Sequence, residues 1–175
     1  MNDKRGSFGA IAAEWWYSEL GQGTGAGRMA RAKLRRCDTP AEALGHGVVH
    51  RLHAALRSAG RDLTRDPERL ALVAIILANI KENHSAEAAA RFGELVGDRP
   101  RLSALRFQGL MRTAAPIDLI RPLRRALAQI DYQANVARLA NDLLHWGDAC
   151  RNNWCFKYYG GANEVPFEQT EEKTA

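Results

Sequence analysis

The sequence is poor in the residues that mark secreted and membrane proteins. Its 175 residues include only three cysteines (Cys37, Cys150 and Cys155), an odd number and too few for a disulfide framework, which favours a reducing compartment. The longest apolar run, residues 70–80, is about half the length needed to span a bilayer. No signal peptide opens the chain. We therefore expect a cytoplasmic protein without a membrane partner.

Motifs for catalysis and metal binding are also missing. There is no HExxH motif and no cluster of carboxylates, so the sequence shows no motif for hydrolytic catalysis. His46, His50 and His53 share one helical face, but nothing in the sequence points to a further metal ligand. Residues 21–26 match the dinucleotide fingerprint, yet a predicted helix precedes them where that motif requires a strand. We expect neither an enzyme nor a cofactor; a metal bound by the three histidines is the alternative.

No window alternates apolar and polar residues with the period of two that strands require, and helical periodicity runs through almost the whole chain. Capping residues support the helix starts, notably Ser7, Ser103 and Asp66 followed by Pro67. Pro122 is expected in the first turn of its helix. The prediction is an all-α, compact multi-helix bundle of about seven to nine helices, in one body or two helical subdomains. The expected helices cover residues 8–20, 26–36, 40–59, 67–80, 85–97, 104–114, 117–130 and 132–147.

Composition divides the chain into three parts. Residues 1–7 form an N-terminal segment, residues 8–159 form the helical domain, and residues 160–175 form a Gly- and Glu-rich tail that we expect to be disordered. We call the last part the acidic tail. It contains four glutamates and a single lysine, so the remainder has 24 bases against 16 acids, a net charge of +8.

The positive charge is clustered. Residues 28–36 contain five bases and no acid, and residues 99–138 contain eight arginines against two aspartates. Arginine outnumbers lysine 20 to 5, which codon bias can explain, but codon bias does not explain the clustering. Guanidinium groups grip phosphate oxygens bidentately. Because acidic partners are scarce in both segments, the charge pattern favours a nucleic-acid partner over a solvated, salt-bridged surface.

Two other features bear on nucleic-acid binding. Residues 86–112 imitate a helix-turn-helix, whose second helix would present Arg106, Gln108 and Arg112 to a DNA groove, so a DNA-binding regulator is the alternative function. Of the four tryptophans, Trp16 is expected to be the exposed one, available for a base or a protein neighbour. The other three lie in apolar helical settings and are expected in the core.

The last third of the chain carries a resemblance to a known family. The sequence NVARLANDLLHWGDACRNNWCFKYY (135–159) strongly resembles the end of the CasB-type small subunit of Cascade, the type I-E CRISPR surveillance complex. Further similar stretches follow the family's order: AEWWYSEL (13–20), AKLRRC (32–37), LALVAIILA (70–78), RFQGLMR (106–112) and DLIRPLRRAL (118–127). The resemblance covers about residues 11–159.

The resemblance implies a helical, non-catalytic subunit that takes part in antiviral defence and is present in two copies per complex. Its expected partners are the backbone and large Cascade subunits, the guide RNA, and the target and displaced DNA strands of the R-loop. Guide pairing then reads the sequence, and the protein contacts only backbones. The candidate phosphate-binding residues are Arg28, Arg31, Lys33, Arg35, Arg36, Arg106, Arg112, Arg121, Arg124, Arg125, Arg138 and Arg151.

Overall fold

The computed structural model describes residues 7–160, which form ten helices and four two-residue strands. The all-α class is confirmed. The helices are α1 (Phe8–Glu19), α2 (Gly25–Arg35), α3 (Pro40–Leu44), α4 (Gly47–Ser58), α5 (Pro67–Asn79), α6 (Ala88–Gly93), α7 (Ala104–Met111), α8 (Pro116–Ala128), α9 (Val136–Leu144) and α10 (Asp148–Gly160). The strands are β1 (Glu82–Asn83), β2 (Leu95–Val96), β3 (Arg99–Pro100) and β4 (Gln133–Ala134).

Helix α5 is the centre of the fold. It begins as predicted, because the Asp66 side chain accepts a hydrogen bond from the Arg69 amide at 3.3 Å and Pro67 occupies the first turn. Every residue from Leu70 to Asn79 is buried. Helices α2, α3, α4, α8 and α9 all pack against α5, which explains why its sequence is apolar on every side.

The remaining helices pack as pairs around this centre: α1 on α9 and α4, α6 on α10, and α7 on α8. Two glycines permit the closest approaches. A Cβ at Gly9 would collide with the Ala137 carbonyl of α9, and a Cβ at Gly93 would collide with the Tyr158 carbonyl of α10. Strands β1 and β4 pair in parallel, so the segment that follows α5 lies beside the segment that follows α8.

Three predicted helices are divided or clearly shorter in the structure. The helix expected over 40–59 is split into α3 and α4, because His46 has an extended backbone (φ −101°, ψ 124°). The helix expected over 85–97 covers only α6. Glu87 is extended, and its carboxylate accepts hydrogen bonds from Arg138 and Lys157. The division of 40–59 raises the eight expected helices to nine, and α10 (Asp148–Gly160), which was not among them, is the tenth in residues 7–160. The helix expected over 132–147 begins only at Val136, after β4.

The position of Pro122 also differs from the prediction. Helix α8 begins at Pro116, so Pro122 lies in the interior of the helix and not in its first turn. A proline there removes one backbone hydrogen bond, the one to the Asp118 carbonyl. The helix is retained because its other face, with Leu119, Leu123 and Leu127, is fully buried.

The segment predicted to imitate a helix-turn-helix does not form that motif. Residues 94–103 connect α6 to α7, and they contain the antiparallel β2–β3 hairpin, with Gly97 in the left-handed region at φ 67°. The two helices pack on different partners, α6 on α10 and α7 on α8. The N-terminal segment up to residue 6 and the acidic tail after Gly160 lie outside the described residues. Within the described part, every helix is too short or too polar to cross a membrane.

Candidate nucleic-acid interface

Helix α8 presents cations on the side opposite its buried face. Arg121 and Arg125 are exposed, whereas Arg124 is half-buried and donates to Asp38 Oδ1 at 2.7 Å and to the Cys37 carbonyl at 2.6 Å. The hydrogen bond from Arg124 holds the pKa of the Asp38 carboxyl below its ordinary value. Arg124 therefore ties α8 to the end of α2. Arg121 also lies 3.7 Å from Asp38 Oδ2, so Arg125 is the one of these three arginines without an acidic partner among residues 7–160.

Helix α2 supplies a second group of exposed cations, Arg28, Lys33, Arg35 and Arg36. No carboxylate of residues 7–160 lies within 4.0 Å of any of the four. The amphipathic pattern of α2 explains this exposure, since Gly27, Arg31 and Leu34 face the core and the other bases lie on the exposed side of the helix together with Met29.

Arg31, predicted to bind phosphate, is instead buried. Its guanidinium donates to the Ala78 carbonyl at 3.1 Å and to the Ile80 carbonyl, and it lies 5.9 Å from the centroid of the Trp16 ring. Burial lowers the pKa of Arg31, and the charge of Arg35 lowers it further. Two of the three guanidinium nitrogens of Arg31 are thus bonded at the end of α5, so this side chain supports the fold, although it also contributes to the cavity described next.

Lys81 is a cation that the sequence analysis missed. Together with Gln22, Arg28 and Arg35 it lines a surface cavity of about 240 Å³ whose floor includes Arg31. We call this cavity the α2 pocket. The sequence signal was weak, because Lys81 is a single lysine directly after the apolar α5 and only the tertiary fold brings it beside α2.

A larger cleft of about 690 Å³ lies between α7 and α8, and we call it the α7–α8 cleft. Apolar side chains form part of its wall, and three arginines reach it. Arg106 and Arg125 have no carboxylate of the described residues within 4.0 Å, whereas Arg124 is held by Asp38. The full lining is Leu102, Arg106, Gly109, Pro122, Arg124, Arg125, Ala126, Ala128, Gln129 and Tyr132.

The two cavities meet at Lys81 and Tyr132. The Lys81 ammonium lies 4.8 Å from the centroid of the Tyr132 ring, and the Lys81 amide donates to the Tyr132 carbonyl at 2.8 Å. Lys81 lines the α2 pocket and Tyr132 lines the α7–α8 cleft. The bases of α2 and of α7–α8, which are distant in sequence, therefore line two neighbouring cavities that touch through Lys81 and Tyr132.

Three other residues predicted to bind phosphate, Arg112, Arg138 and Arg151, lie outside these two cavities. Arg112 is exposed beside a cavity of about 320 Å³ that includes Phe107 and Cys155. Arg138 pairs with Glu87 at 2.8 Å. Arg151 is half-buried and donates to the Met111 carbonyl at 2.8 Å. Arg138 and Arg151 thus have internal partners.

The expected exposure of Trp16 is wrong. Its ring is buried and its indole N–H donates to the Leu77 carbonyl at 2.9 Å. Trp15 is buried as expected, with its indole N–H on the Val48 carbonyl at 2.9 Å. The exposed aromatic of this helix is Tyr17, whose ring packs edge-on against Trp16. Two adjacent tryptophans are buried because α1 contacts helices on more than one side.

The histidine face has ordinary structural roles. His46 precedes the first turn of α4, His50 Nε2 lies 2.7 Å from the Leu44 carbonyl, and His53 Nε2 lies 3.1 Å from Asp62 Oδ1. Across residues 7–160, no group of three His, Cys, Asp or Glu side chains is arranged to hold a metal ion.

These features define a class: a small helical protein in which exposed arginines and lysines, without acidic partners among residues 7–160, line neighbouring surface clefts. Comparison with known proteins gives the particular family. The profile of the family described as CRISPR-associated protein Cse2 (CRISPR_cse2) matches residues 30–159, and the chain belongs to this family.

A solved structure agrees in fold. The crystal structure of CasB from Thermus thermophilus matches with a TM-score of 0.63 and 24% sequence identity, over 87% of this chain and 97% of that chain. No curated protein sequence matches significantly. The resemblance to the CasB-type small subunits of Cascade, stated above from the sequence, is thereby confirmed, and the chain is a CRISPR Cascade subunit.

Proposed function

We propose that this subunit binds nucleic-acid backbones without catalysing a reaction, and that it holds the target and displaced DNA strands of the R-loop against the Cascade complex. The observation that carries the proposal is the basic surface made of two neighbouring cavities, the α2 pocket and the α7–α8 cleft, which touch through Lys81 and Tyr132. Arg28, Arg35 and Lys81 line one end of it, and Arg106 and Arg125 line the other.

The chemistry of this surface suits a sugar–phosphate backbone. Its cations are exposed and have no carboxylate of the described residues as ion-pair partner, so a polyanion can bind without displacing an internal salt bridge. Charge contacts of this kind position a strand but do not read its sequence. In a guide-RNA complex that suffices, because base pairing with the guide supplies the specificity.

The test is the salt dependence of single-stranded DNA binding by the full chain. Each lost phosphate contact should flatten the slope of log K against log salt by roughly 0.7. The double variant Arg106→Ala/Arg125→Ala should therefore lose about 1.4 from the slope, and Arg28→Ala/Arg35→Ala should lose a similar amount.

The matched control is Arg57→Ala/Arg65→Ala, which removes the same charge from two exposed arginines that line neither cavity. We expect its slope to equal that of the wild type. If all three double variants had the same salt slope, the arginines of this surface would contribute no more than Arg57 and Arg65 do. Long-range charge, and not this surface, would then account for binding of the strand.

The assembly is tested separately, by tagged purification from the native host at low salt. We expect the chain to recover backbone and large Cascade subunits, a guide RNA and a second copy of itself. Recovery of the chain alone would contradict the proposed assembly. The regulator hypothesis has lost its structural basis, because residues 86–112 form no helix-turn-helix.

A further inference from the structure

Tyr132 is the one aromatic side chain among the described residues that line the α2 pocket and the α7–α8 cleft. Trp16, which was expected to be available for a base, is buried, and so are the other three tryptophans. Tyr132 is half-buried and lies where the two cavities touch. A strand that runs from the cations of one cavity to those of the other therefore passes its ring.

The α7–α8 cleft beside Tyr132 is suited to a flat, partly apolar group. Leu102 and Pro122 form apolar wall, and the volume of about 690 Å³ lies in the range of cavities that hold small ligands. A phosphate gains nothing from an apolar wall, whereas a nucleobase is buried favourably against one. The cleft therefore has room and surface for a base, in addition to the charge that Arg106 and Arg125 offer to the backbone.

The surroundings of Tyr132 combine an aromatic ring with positive charge. The Lys81 ammonium lies over the ring, 4.8 Å from its centroid, and Arg125 lines the same cleft as the ring. No carboxylate of residues 7–160 lies within 4.0 Å of either cation. Sites for single-stranded nucleic acid combine these two elements, because the aromatic ring stacks on a base and the cations bind the phosphates beside it.

The backbone holds the Tyr132 ring in this place in an unusual conformation. Asp131 and Tyr132 both have a φ of 56°, in the left-handed region that residues other than glycine rarely adopt. Both backbone groups of Tyr132 are hydrogen-bonded, since its amide donates to the Leu127 carbonyl at 2.9 Å and its carbonyl accepts from the Lys81 amide at 2.8 Å. Strained residues that the surrounding structure fixes in this way cluster at functional sites.

We propose that the Tyr132 ring stacks on a nucleobase of an unpaired strand, with the base in the α7–α8 cleft and the neighbouring phosphates on Lys81 and Arg125. This inference rests on the proposed function and adds a contact to a base, where that function requires the backbone alone. Every base has a π face, so the contact tolerates any sequence. It favours an unpaired strand over a duplex, because the bases of a duplex are already stacked on one another.

The first experiment compares two strands of equal length and equal charge on the full wild-type chain at low salt. One is a fluorescein-labelled oligothymidine, and the other is its abasic counterpart, which keeps every phosphate. Stacking of one base should make the oligothymidine bind about tenfold tighter. Equal affinities would overturn the stacking and leave the proposed backbone binding intact, whereas binding of neither strand would refute both.

The second experiment assigns the preference to Tyr132. The variant Tyr132→Asn removes the ring and introduces a residue that tolerates a positive φ, so it should fold, and a thermal melt checks this. We expect its ratio of the two affinities to fall to about one, with an unchanged salt slope because no charge is removed. Tyr132→Phe should keep the wild-type ratio. The matched control Tyr17→Asn should keep it too, because it removes an exposed ring outside both cavities.

The same measurements separate stacking from a purely structural role of Tyr132. If Tyr132→Asn weakened the binding of both strands by the same factor, the ring would only position Lys81, and the proposal would be overturned.

A third measurement locates the base without any substitution. The wild-type chain is photo-crosslinked to a strand that contains 5-iododeoxyuridine, and the modified residue is identified by mass spectrometry. We expect the crosslink on Tyr132. Crosslinks on other exposed aromatic residues, such as Tyr17 and Phe156, and not on Tyr132 would contradict the assignment.

Discussion

The sharpest structural prediction concerns Arg31. The sequence analysis predicted that it binds phosphate, but in the structure its guanidinium lies at the end of α5. Its guanidinium donates to the carbonyls of Ala78 and Ile80, two residues that are fully buried. These carbonyls lie at the helix C-terminus, where unpaired acceptors carry the negative end of the helix dipole. A cation is well suited to that position.

The variant Arg31→Met keeps most of the apolar stem and removes the donors. Leaving a buried acceptor unpaired costs about 1–3 kcal/mol, so two carbonyls together suggest a loss of about 2–6 kcal/mol in the free energy of unfolding before any offset. Part of the loss is offset because the buried charge is also removed. For a chain of this size, a loss of 1 kcal/mol in the free energy of unfolding lowers Tm by about 2–4 °C, so Tm of the Arg31→Met variant should fall by roughly 10 °C.

The assay is urea unfolding followed by far-UV circular dichroism, with thermal melts beside it. Arg35→Met is the matched control, because Arg35 is exposed on the next turn of the same helix. It should change stability by less than about 0.5 kcal/mol and weaken DNA binding instead. An Arg31→Met chain with wild-type stability and weakened DNA binding would refute this reasoning and return Arg31 to the interface.

Three further predictions follow from local geometry. Gly93→Ala should destabilise the fold by about 1–3 kcal/mol, since its Cβ would meet the backbone of α10, while Gly109→Ala, with open space around it, should be neutral or slightly stabilising in the same urea assay. Hydrogen bonds from Thr64, first of all, lower the pKa of the exposed Asp62 carboxyl to about 2, so its contribution to stability is present above pH 4 and lost as the pH falls towards 2. Thermal melts of Asp62→Asn and wild type should therefore differ at pH 7 and converge near pH 2. Burial raises the pKa of the Cys150 thiol to about 12, so mass spectrometry should find it unmodified by iodoacetamide at pH 8 until the chain is unfolded.

The elements that sequence reasoning located well have strong local signals. Helix α5 was predicted from an apolar run preceded by Asp66 and Pro67, and Ser103 caps α7 as expected, accepting from the Arg106 amide at 3.4 Å. Breaks in the helices were harder to place. His46 and Glu87 adopt extended backbones in segments whose composition favours a helix. At Glu87, ion pairs with distant residues replace the helical arrangement, and no local pattern encodes them.

The two differences at the candidate site, at Arg31 and at Lys81, have different causes. Arg31 was counted with its basic neighbours, although positions 27, 31 and 34 share one helical face and the other two are the core-facing Gly27 and Leu34. That spacing was a usable signal of burial. Lys81 offered no comparable signal, because its place in the α2 pocket depends on packing between segments far apart in the sequence.

The distinction between the two kinds of arginine limits what charge counting can show in this protein. Arg31, Arg69, Arg91 and Arg151 all donate to backbone carbonyls at or near the ends of helices, so these charges support the fold and are not available to a strand. The cations left over are not scattered evenly, since those of α2 and of α7–α8 line the two neighbouring cavities that touch through Lys81 and Tyr132. Net charge therefore overestimates the number of cations available to a ligand, and the cations that remain define the surface that we propose for binding. For that reason the salt slope of each paired variant, and not the affinity of the whole chain, is the quantity that tests the proposal.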